Sequence, residues 1–402
     1  MISSDFTAFI KFMSKYVLLA LFAVLLSIPP AAYYVYKLRQ VGELLYGGDI
    51  AEFNRQGKKI LWLSGYYSAE HHIKTSIAKR LSPKVVALGS SRVTQITGKV
   101  FNKLKENEFY NMGMVVYTFS EADDAVEELI KVKKPELIIF GLDWFFFEQQ
   151  SDGTSIRERI KNSLPDALYF FIADYNTYVI YKKEFLLSQL YILQNAWKDP
   201  FFYDALVSLN SVEAVSGRTF VGLGARRIGG FRNDGSMRYH QWIDNPVQYD
   251  KEQQFQIIEK AGKHRGNYII KRELNKFRRF LSLCVKNNIP LIIILPPIDD
   301  YFYYKFINDK HRQKFWKEFP VTVKQIAHEY GIALLDYTNT PISENSGEFL
   351  DFDHISEVLY AKILLDMAKN DETKKLLSPY IDISKLESDI EHHPSLHDLH
   401  GD

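Results

Sequence analysis

Short, uninterrupted apolar runs alternate along the chain with segments of helical periodicity. Such runs are typical of strands that are buried on both faces of a sheet. The four clearest predicted strands are 84–89, 137–141, 289–295 and 332–335. The helices predicted from periodicity are 121–133, 268–286, 321–330 and 355–369. Strands that alternate with helices predict an α/β fold built on a doubly wound parallel sheet.

The middle of the chain interrupts this alternation. Residues 151–262 contain aromatic-rich helical sequence followed by Gly, Arg and Asn, which we interpret as a helical and loop cap. The cap is predicted to be inserted between two parts of the sheet domain, 81–150 and 263–370. Segment 221–226 superficially resembles a dinucleotide-binding loop, but Arg227 occupies the place of the third glycine. A dinucleotide site is therefore not expected.

The longest uncharged stretch lies near the N-terminus, after a tail of residues 1–15. Residues 16–36 contain no charged side chain. A segment of this length is enough to cross a hydrocarbon core of about 30 Å as a helix. The sequence at 29–32, Pro-Pro-Ala-Ala, is a poor signal-peptidase site, so an uncleaved anchor is favoured over a cleaved signal peptide. We predict one transmembrane helix at 16–36 and a linker and helix at 37–80.

The composition of the chain excludes some classes of function and of binding site. The 402 residues include 50 Lys and Arg against 49 Asp and Glu, and this balance gives no basic field for nucleic acid. Cys284 is the single cysteine, so neither an internal disulfide nor a thiolate zinc site is possible. No metal or organic cofactor is expected. The polar tail 371–402 contains several histidines, and its composition favours a frayed, solvated segment over a metal site.

A candidate nucleophile follows the first predicted strand directly. The run Gly89-Ser90-Ser91-Arg92 lies at a strand-to-helix turn, where a serine is exposed at the carboxyl edge of a parallel sheet. Backbone amides at the start of a helix can stabilise an oxyanion there. Taken alone, a serine in this position is more often a helix N-cap.

A second candidate feature precedes the last predicted helix. Asp351 and His354 are three positions apart, so the carboxylate can orient one imidazole nitrogen while the other faces a serine. The alternative is that Asp351 or Asp353 caps the final helix and His354 is a surface residue.

Together these motifs resemble the SGNH/GDSL hydrolase superfamily, which has a flavodoxin-like sheet, a nucleophile after the first strand and a final Asp-x-x-His block. Asn111-Met112-Gly113, after a short strand at 109–110, matches the second block, and Gly141-Leu142-Asp143-Trp144 stands at the third. The resemblance implies that Ser91 is the nucleophile, His354 the general base and Asp351 its orienting group.

The same resemblance implies oxyanion and binding roles for Gly113, Asn111, Asp143 and Arg92. Two departures from the family pattern matter. Ser90 replaces the usual Asp before the nucleophile, and Asp143 replaces the oxyanion Asn. Because an anionic Asp143 would repel an oxyanion, either Asn111 supplies a side-chain donor or Asp143 has a positioning role.

The Gly-Ser-Ser block, the anchor and the Asp-x-x-His end are similar to the membrane-tethered acyltransferase branch of this superfamily. That branch includes the D-alanyl transfer protein of teichoic acid synthesis and alginate-type polysaccharide O-acetyltransferases. The resemblance implies transfer of a small acyl group to a cell-envelope glycan by a body outside the cytoplasm, periplasmic or extracellular. A multi-pass membrane acyltransferase is a possible partner. Two alternatives remain open: an esterase of the same fold, and an inert accessory subunit that binds envelope polymer or that partner.

Within the cap, four arginines surround a turn signal at 234–235, Asp-Gly: Arg226, Arg227, Arg232 and Arg238. Guanidinium groups in this density could bind an anionic glycan. A solvated hairpin tip explains them equally well. Arg232 and Arg238 are the candidate substrate-binding residues.

Overall fold

The computed structural model describes most of the chain outside the N-terminal and central segments. The described residues are 31–44, 47–65, 70–148, 192–196, 214–215, 218–239, 250–261, 268–343 and 346–399, with isolated positions before residue 31 and Lys198. Much of the predicted cap and part of the predicted anchor therefore lie outside the described residues. Within the described part of the chain, no helix is both long and apolar enough to span a membrane. The anchor at 16–36 stays a prediction.

The described elements follow the predicted alternation. The strands are β1 (Ile60–Trp62), β2 (Val85–Leu88), β3 (Phe109–Met112), β4 (Leu137–Gly141), β5 (Ala214–Val215), β6 (Arg218–Val221), β7 (Gly229–Phe231), β8 (Met237–Tyr239), β9 (Leu291–Leu295) and β10 (Ala333–Asp336). The α-helices are α1 (Gly47–Arg55), α2 (Glu70–Leu81), α3 (Phe119–Ile130), α4 (Leu223–Arg227), α5 (Lys251–Ala261), α6 (Lys271–Lys286), α7 (Asp300–Asn308), α8 (Gln313–Glu329), α9 (Glu357–Lys369), α10 (Lys374–Leu377) and α11 (Ile383–Glu391). Short 3-10 turns lie at Ser91–Val93, Gly98–Val100, Trp144–Phe147 and Ser346–Glu348.

The central sheet has five parallel strands in the order β3-β2-β4-β9-β10. In chain order this is 2-1-3-4-5, the flavodoxin-like doubly wound arrangement. The prediction of an α/β fold with a parallel sheet is therefore confirmed. The strand order reverses at β2, so the crevice beyond the carboxyl end of β2 is where such sheets bind ligands.

Both faces of the central sheet are buried. Val86 and Leu88 of β2 belong to an apolar cluster that includes residues of α3, α6 and α8. Val85 and Ala87 belong to a second cluster, which includes residues of α9 and α11. This two-sided burial explains why the strands appear in the sequence as continuous apolar runs rather than alternating ones.

A second, mixed sheet combines distant parts of the chain in the order β5-β6-β1-β7-β8. Strand β1 lies in the segment 37–80 and pairs parallel with β6 and antiparallel with β7. Strands β7 and β8 form an antiparallel hairpin around the predicted turn, in which Gly235 has φ of 78°. The left-handed conformation at Gly235 is one that glycine adopts without steric cost.

The polar tail is folded over the residues that the structure describes. Helices α10 and α11 bury Leu377 and Leu386 completely, and Leu399 is only 2% exposed. The prediction of a frayed tail is wrong for 371–399, because these apolar side chains pack against the second face of the sheet despite the polar composition around them.

Candidate active site

The two serines after β2 have different environments. Ser90 is the N-cap of the turn Ser91–Val93: its Oγ accepts a hydrogen bond from the Arg92 amide at 3.2 Å. The same hydroxyl donates to Asp143 Oδ2 at 2.5 Å. The capping role therefore falls to Ser90, and the hydroxyl of Ser91 is left to face the histidine.

Ser91, His354 and Asp351 meet although Ser91 and His354 are 263 positions apart. Ser91 Oγ lies 2.8 Å from His354 Nε2, and the Asp351 carboxylate oxygens lie 2.8 and 2.9 Å from His354 Nδ1. The backbone amide of His354 also donates to Asp351 Oδ1 at 2.8 Å, which holds the loop closed on itself. These distances are within the reach needed for proton transfer.

The carboxylates around His354 favour the protonated, charged form of its imidazole. Burial lowers the pKa of His354, but Asp351 and Asp353 act in the opposite direction and leave it well above the ordinary value of 6.5. Burial raises the pKa of Asp351, whereas His354 and the backbone amides lower it, to about 2 overall. Asp353 Oδ1 lies 3.2 Å from His354 Nδ1. The sequence suggested Asp353 only as a helix cap, and the structure adds it as a second anionic neighbour of the base.

Arg92 is buried at the carboxyl edge of the sheet and connects four segments. Its guanidinium donates to Asp143 Oδ1 at 2.7 Å and to the carbonyls of Pro296 and Pro297 at 2.9 and 2.6 Å. Its Nε donates to the carbonyl of Asp353 at 3.1 Å. Arg92 and Asp143 are 2% and 0% exposed, so this is a buried ion pair. The geometry supports the positioning alternative for Asp143.

The oxyanion roles expected for Asn111 and Gly113 need correction. The amide nitrogen of Asn111 donates to the carbonyls of Val93 and Ile96, both at 2.8 Å, and Asn111 Oδ1 accepts from the Gly113 amide at 2.7 Å. Asn111 is therefore engaged in holding the nucleophile segment, and the Gly113 amide in holding the Asn111 side chain. Within the described part of the chain, the backbone amide of Ser91 makes no hydrogen bond, and it is the remaining candidate oxyanion donor.

The hairpin β7–β8 lies along the segment that follows the nucleophile. The Met237 amide donates to the Thr94 carbonyl at 2.8 Å, and the Gln95 side chain donates to the Met237 carbonyl at 3.1 Å. Thr94 Oγ1 in turn donates to the Ser91 carbonyl at 2.6 Å. No sequence motif marks the contacts of Met237 with Thr94 and Gln95, because they join residues more than 140 positions apart.

The arginines of the hairpin are used within the protein. Arg232 Nη2 lies 2.6 Å from Glu357 Oε1, and Arg238 Nη2 lies 3.7 Å from Asp398 Oδ2. The side chains of Arg232 and Arg238 are only 13% and 11% exposed. Carboxylates from α9 and the tail therefore already pair with both arginines, and their role in substrate binding stays a prediction.

Asp351, Asp353 and His354 also have their potential ligand atoms within 4.8 Å of one another. Both ring nitrogens of His354 are already hydrogen-bonded, one to Ser91 and one to Asp351. The three side chains are therefore hydrogen-bonded in the pattern that Ser-His-Asp triads have, and their catalytic role stays a prediction.

A 2-1-3-4-5 parallel sheet with a serine at its switch point and an Asp-x-x-His loop resembles the arrangement in SGNH-like proteins. Residues 239–357 match the family model of the DltD protein, the D-alanyl transfer protein of teichoic acid synthesis. The resemblance expected from the motifs is thus confirmed over that segment. The segment contains Asp351 and His354, whereas Ser91 and Asp143 lie before its first residue. No curated protein matches the chain.

Proposed function

We propose that the chain is a serine acyltransferase that acts on a cell-envelope glycopolymer. The observation that carries the proposal is the 2.8 Å contact between Ser91 Oγ and His354 Nε2, with Asp351 behind the imidazole. The match to the DltD family supports D-alanyl as the acyl group and a teichoic acid as the acceptor. No cofactor takes part in the proposed chemistry.

The reaction proceeds in two half-reactions. His354 Nε2 accepts the proton of Ser91 as Oγ attacks the donor carbonyl, and the leaving group departs with that proton, leaving an acyl ester on Ser91. His354 then deprotonates an acceptor hydroxyl, which attacks the ester, and the proton returns to Ser91 Oγ as the acyl group leaves. Asp351 holds the imidazole in position and stabilises its charged form, while the Ser91 amide faces the oxyanion.

Trapping of the acyl-enzyme tests this proposal. The full-length protein in detergent is treated with a small activated acyl ester, and its intact mass is measured. We expect the mass of one acyl group on the wild type, none on Ser91→Ala, and most of it on the matched control Ser90→Ala. Loss in Ser90→Ala with retention in Ser91→Ala would assign the nucleophile to Ser90 instead.

The fate of the acyl group separates a transferase from an esterase. An esterase passes the acyl group to water, whereas a transferase passes it to a polymer hydroxyl. We expect a purified teichoic acid to accelerate loss of the acyl mass and to gain ester groups itself. Release of free acid at a rate unaffected by the polymer would assign the esterase function.

One observation favours the inert accessory subunit as a second candidate. The Gly113 amide and the Asn111 side chain, two expected oxyanion donors, are both engaged elsewhere. An inert subunit would form no acyl-enzyme with any activated ester, so the same mass measurement decides between the two.

We further propose that residues 16–36 anchor the protein in a membrane with its body outside the cytoplasm. An acceptor polymer of the envelope is accessible only there. A multi-pass membrane acyltransferase is the proposed partner that would supply the acyl group to Ser91.

A further inference from the structure

Tyr239 is the last residue of strand β8, and the hairpin brings it to the segment that follows Ser91. Strand β8 is fixed there because the Met237 amide donates to the Thr94 carbonyl at 2.8 Å. Tyr239 is half-buried, and its hydroxyl is hydrogen-bonded to the side chain of Thr94. The acyl transfer proposed above gives this tyrosine no role.

Thr94 connects Tyr239 to the proposed nucleophile. Thr94 Oγ1 donates to the Ser91 carbonyl at 2.6 Å, and the Thr94 backbone amide donates to the same carbonyl at 3.2 Å. A threonine hydroxyl has one proton to donate and can also accept. Because the Ser91 carbonyl takes that proton, the Tyr239 hydroxyl is the donor in its bond with Thr94. Two consecutive hydrogen bonds therefore run from Tyr239 to the backbone of Ser91.

Packing holds the Thr94 side chain in one orientation. Thr94 is fully buried, and Gly113 lies so close that a Cβ at Gly113 would be 2.9 Å from the Thr94 Cγ2 methyl group. With the methyl group against Gly113, the hydroxyl stays directed toward Ser91 and Tyr239. A buried hydroxyl that loses a partner is destabilised, so the bond from Tyr239 should matter to the turn.

Tyr239 also lies close to the loop that carries the proposed base. Burial raises the pKa of its phenol above the ordinary value, and the charges of His354 and Asp351 act on it in opposite directions, the first lowering and the second raising that pKa. The phenol therefore keeps its proton through neutral and mildly alkaline pH. It remains a hydrogen-bond donor to Thr94 over that range.

We propose that Tyr239 is a positioning residue for Ser91 and acts through Thr94. By holding the Thr94 hydroxyl on the Ser91 carbonyl, it fixes the turn Ser91–Val93 and keeps Ser91 Oγ at 2.8 Å from His354 Nε2. The effect of Tyr239 on reaction rate rests on the proposed function, whereas its effect on the turn does not.

Labelling of the full-length protein in detergent with 4-nitrophenyl acetate tests the effect on rate. Tyr239→Phe removes only the hydroxyl, so the maximum labelling rate should fall about three- to tenfold, the effect of one hydrogen bond. The half-saturating ester concentration should stay unchanged, because Tyr239 positions the nucleophile and not the ester. Thr94→Val should lower the rate at least as far. Adding Tyr239→Phe to Thr94→Val should then have no further effect, because the connection is already broken.

Amide hydrogen exchange of residues 92–97 tests the turn without any acyl chemistry. Tyr239→Phe should speed exchange of the Thr94 amide, which donates to the Ser91 carbonyl, by about three- to tenfold. The matched control is Tyr337→Phe, which loses a bond of 2.7 Å to Asp366 and should change neither the labelling rate nor exchange in 92–97. Near-ultraviolet circular dichroism confirms that each variant is folded.

The outcomes separate this inference from the proposed function. A wild type that gains no acyl group would overturn the proposed function, and exchange in Tyr239→Phe would then decide whether Tyr239 holds the turn. If Thr94→Val does not fold, the same exchange measurement decides. Additive effects of Tyr239→Phe and Thr94→Val on the labelling rate, a change confined to the half-saturating concentration, or unchanged exchange of the Thr94 amide would overturn the inference.

Discussion

His354 lies between two carboxylates and one hydroxyl, and this environment sets the pH at which it can act as a base. Only the neutral imidazole can accept the proton of Ser91. Because Asp351 and Asp353 outweigh the effect of burial, the pKa of His354 lies well above 6.5. Ser91 should therefore react slowly at neutral pH and faster as the pH rises.

The rate of ester labelling is predicted to increase with pH through a midpoint above 6.5. Asp351→Asn removes the closest negative charge, so the midpoint should move to lower pH. The plateau rate should fall by roughly 10³- to 10⁴-fold, because the imidazole loses the group that orients it. Asp353→Asn should shift the midpoint in the same direction with a much smaller loss of rate. Stopped-flow labelling from pH 5 to 10 measures both quantities, and an unchanged midpoint in Asp351→Asn would contradict the assignment.

The buried pair Arg92–Asp143 gives a prediction about stability. Arg92→Met leaves Asp143 buried without its counter-charge and should lower the free energy of unfolding by about 3–5 kcal/mol. The double variant Arg92→Met, Asp143→Leu should recover part of this loss. The control is Arg278→Met, whose partner Glu329 is exposed like Arg278 itself, with an expected change below about 1 kcal/mol.

Denaturant titration measures these differences. Equal effects of Arg92→Met and Arg278→Met on the free energy of unfolding would show that the buried pair is not required for the fold.

Asp143→Asn restores the residue that the family has at this position. It should not raise the labelling rate, because the side chain remains bonded to Arg92 and Ser90 rather than to the oxyanion.

The proximity of the three candidate triad residues was predictable at the residue level, because few residue types can do the chemistry of a triad. Ser91, Asp351 and His354 each stand in a motif whose spacing already indicates a nucleophile or a base. The roles of Asn111 and Gly113 were not predictable, since a motif does not show which atom each amide pairs with. Asn111 binds the carbonyls of Val93 and Ile96 in the folded chain, and those are backbone atoms without a sequence signature.

At the scale of elements, the hairpin β7–β8 holds the two halves of the candidate active site together. Its strand β8 is hydrogen-bonded to the nucleophile segment through Met237, and Arg232 reaches Glu357 at the start of α9. Burial raises the pKa of Glu357, while Arg232 opposes it. Arg232 therefore stabilises the contact between the hairpin and the helix that follows His354.

Arg232→Ala is predicted to lower both ester labelling and transfer to polymer. It removes the partner of a carboxylate that is 3% exposed, so the free energy of unfolding should fall by about 3–5 kcal/mol. Arg227→Ala, at an exposed position of the same segment, should leave both activities near the wild-type level. A loss confined to polymer transfer in a fully stable Arg232→Ala protein would instead support a direct role in glycan binding.

The elements that the sequence predicted well are those with local signals. The apolar run 137–141 coincides with β4, and the periodic segment 268–286 contains α6, because burial on both faces or on one stripe appears directly in the sequence. Strand β1 was missed because it has three residues and its partners lie more than 150 positions later. The tail helices were missed because a few buried leucines are separated by polar residues.

At the scale of the whole molecule, the burial of the described N-terminal residues changes along the segment. Residues 31–40 are helical, and Leu38 is fully buried in a small cluster with Ile192 and Leu223. Nearer the N-terminus, the described apolar side chains are exposed, including Phe22 and Tyr33 at 61% each. Large apolar side chains left exposed in this density mark a surface that contacts membrane or protein.

The last prediction is that this exposed apolar segment holds the protein in a membrane with the body outside the cytoplasm. Residues 16–36 supply the length for a span, and their exposed side chains would then contact lipid rather than water. The full-length protein should stay in the membrane fraction after alkaline carbonate and leave it only with detergent. A variant without residues 1–30 should be released.

Protease added to intact spheroplasts should then remove the body, because this topology leaves the body outside the cytoplasm. The single cysteine, Cys284, is buried, so the body needs no reducing compartment. A cytoplasmic marker protein must survive the same treatment. Protection of the body in intact spheroplasts, with digestion after lysis, would place it in the cytoplasm, where Ser91 could not reach an envelope polymer. That result would contradict both the topology and the proposed acceptor.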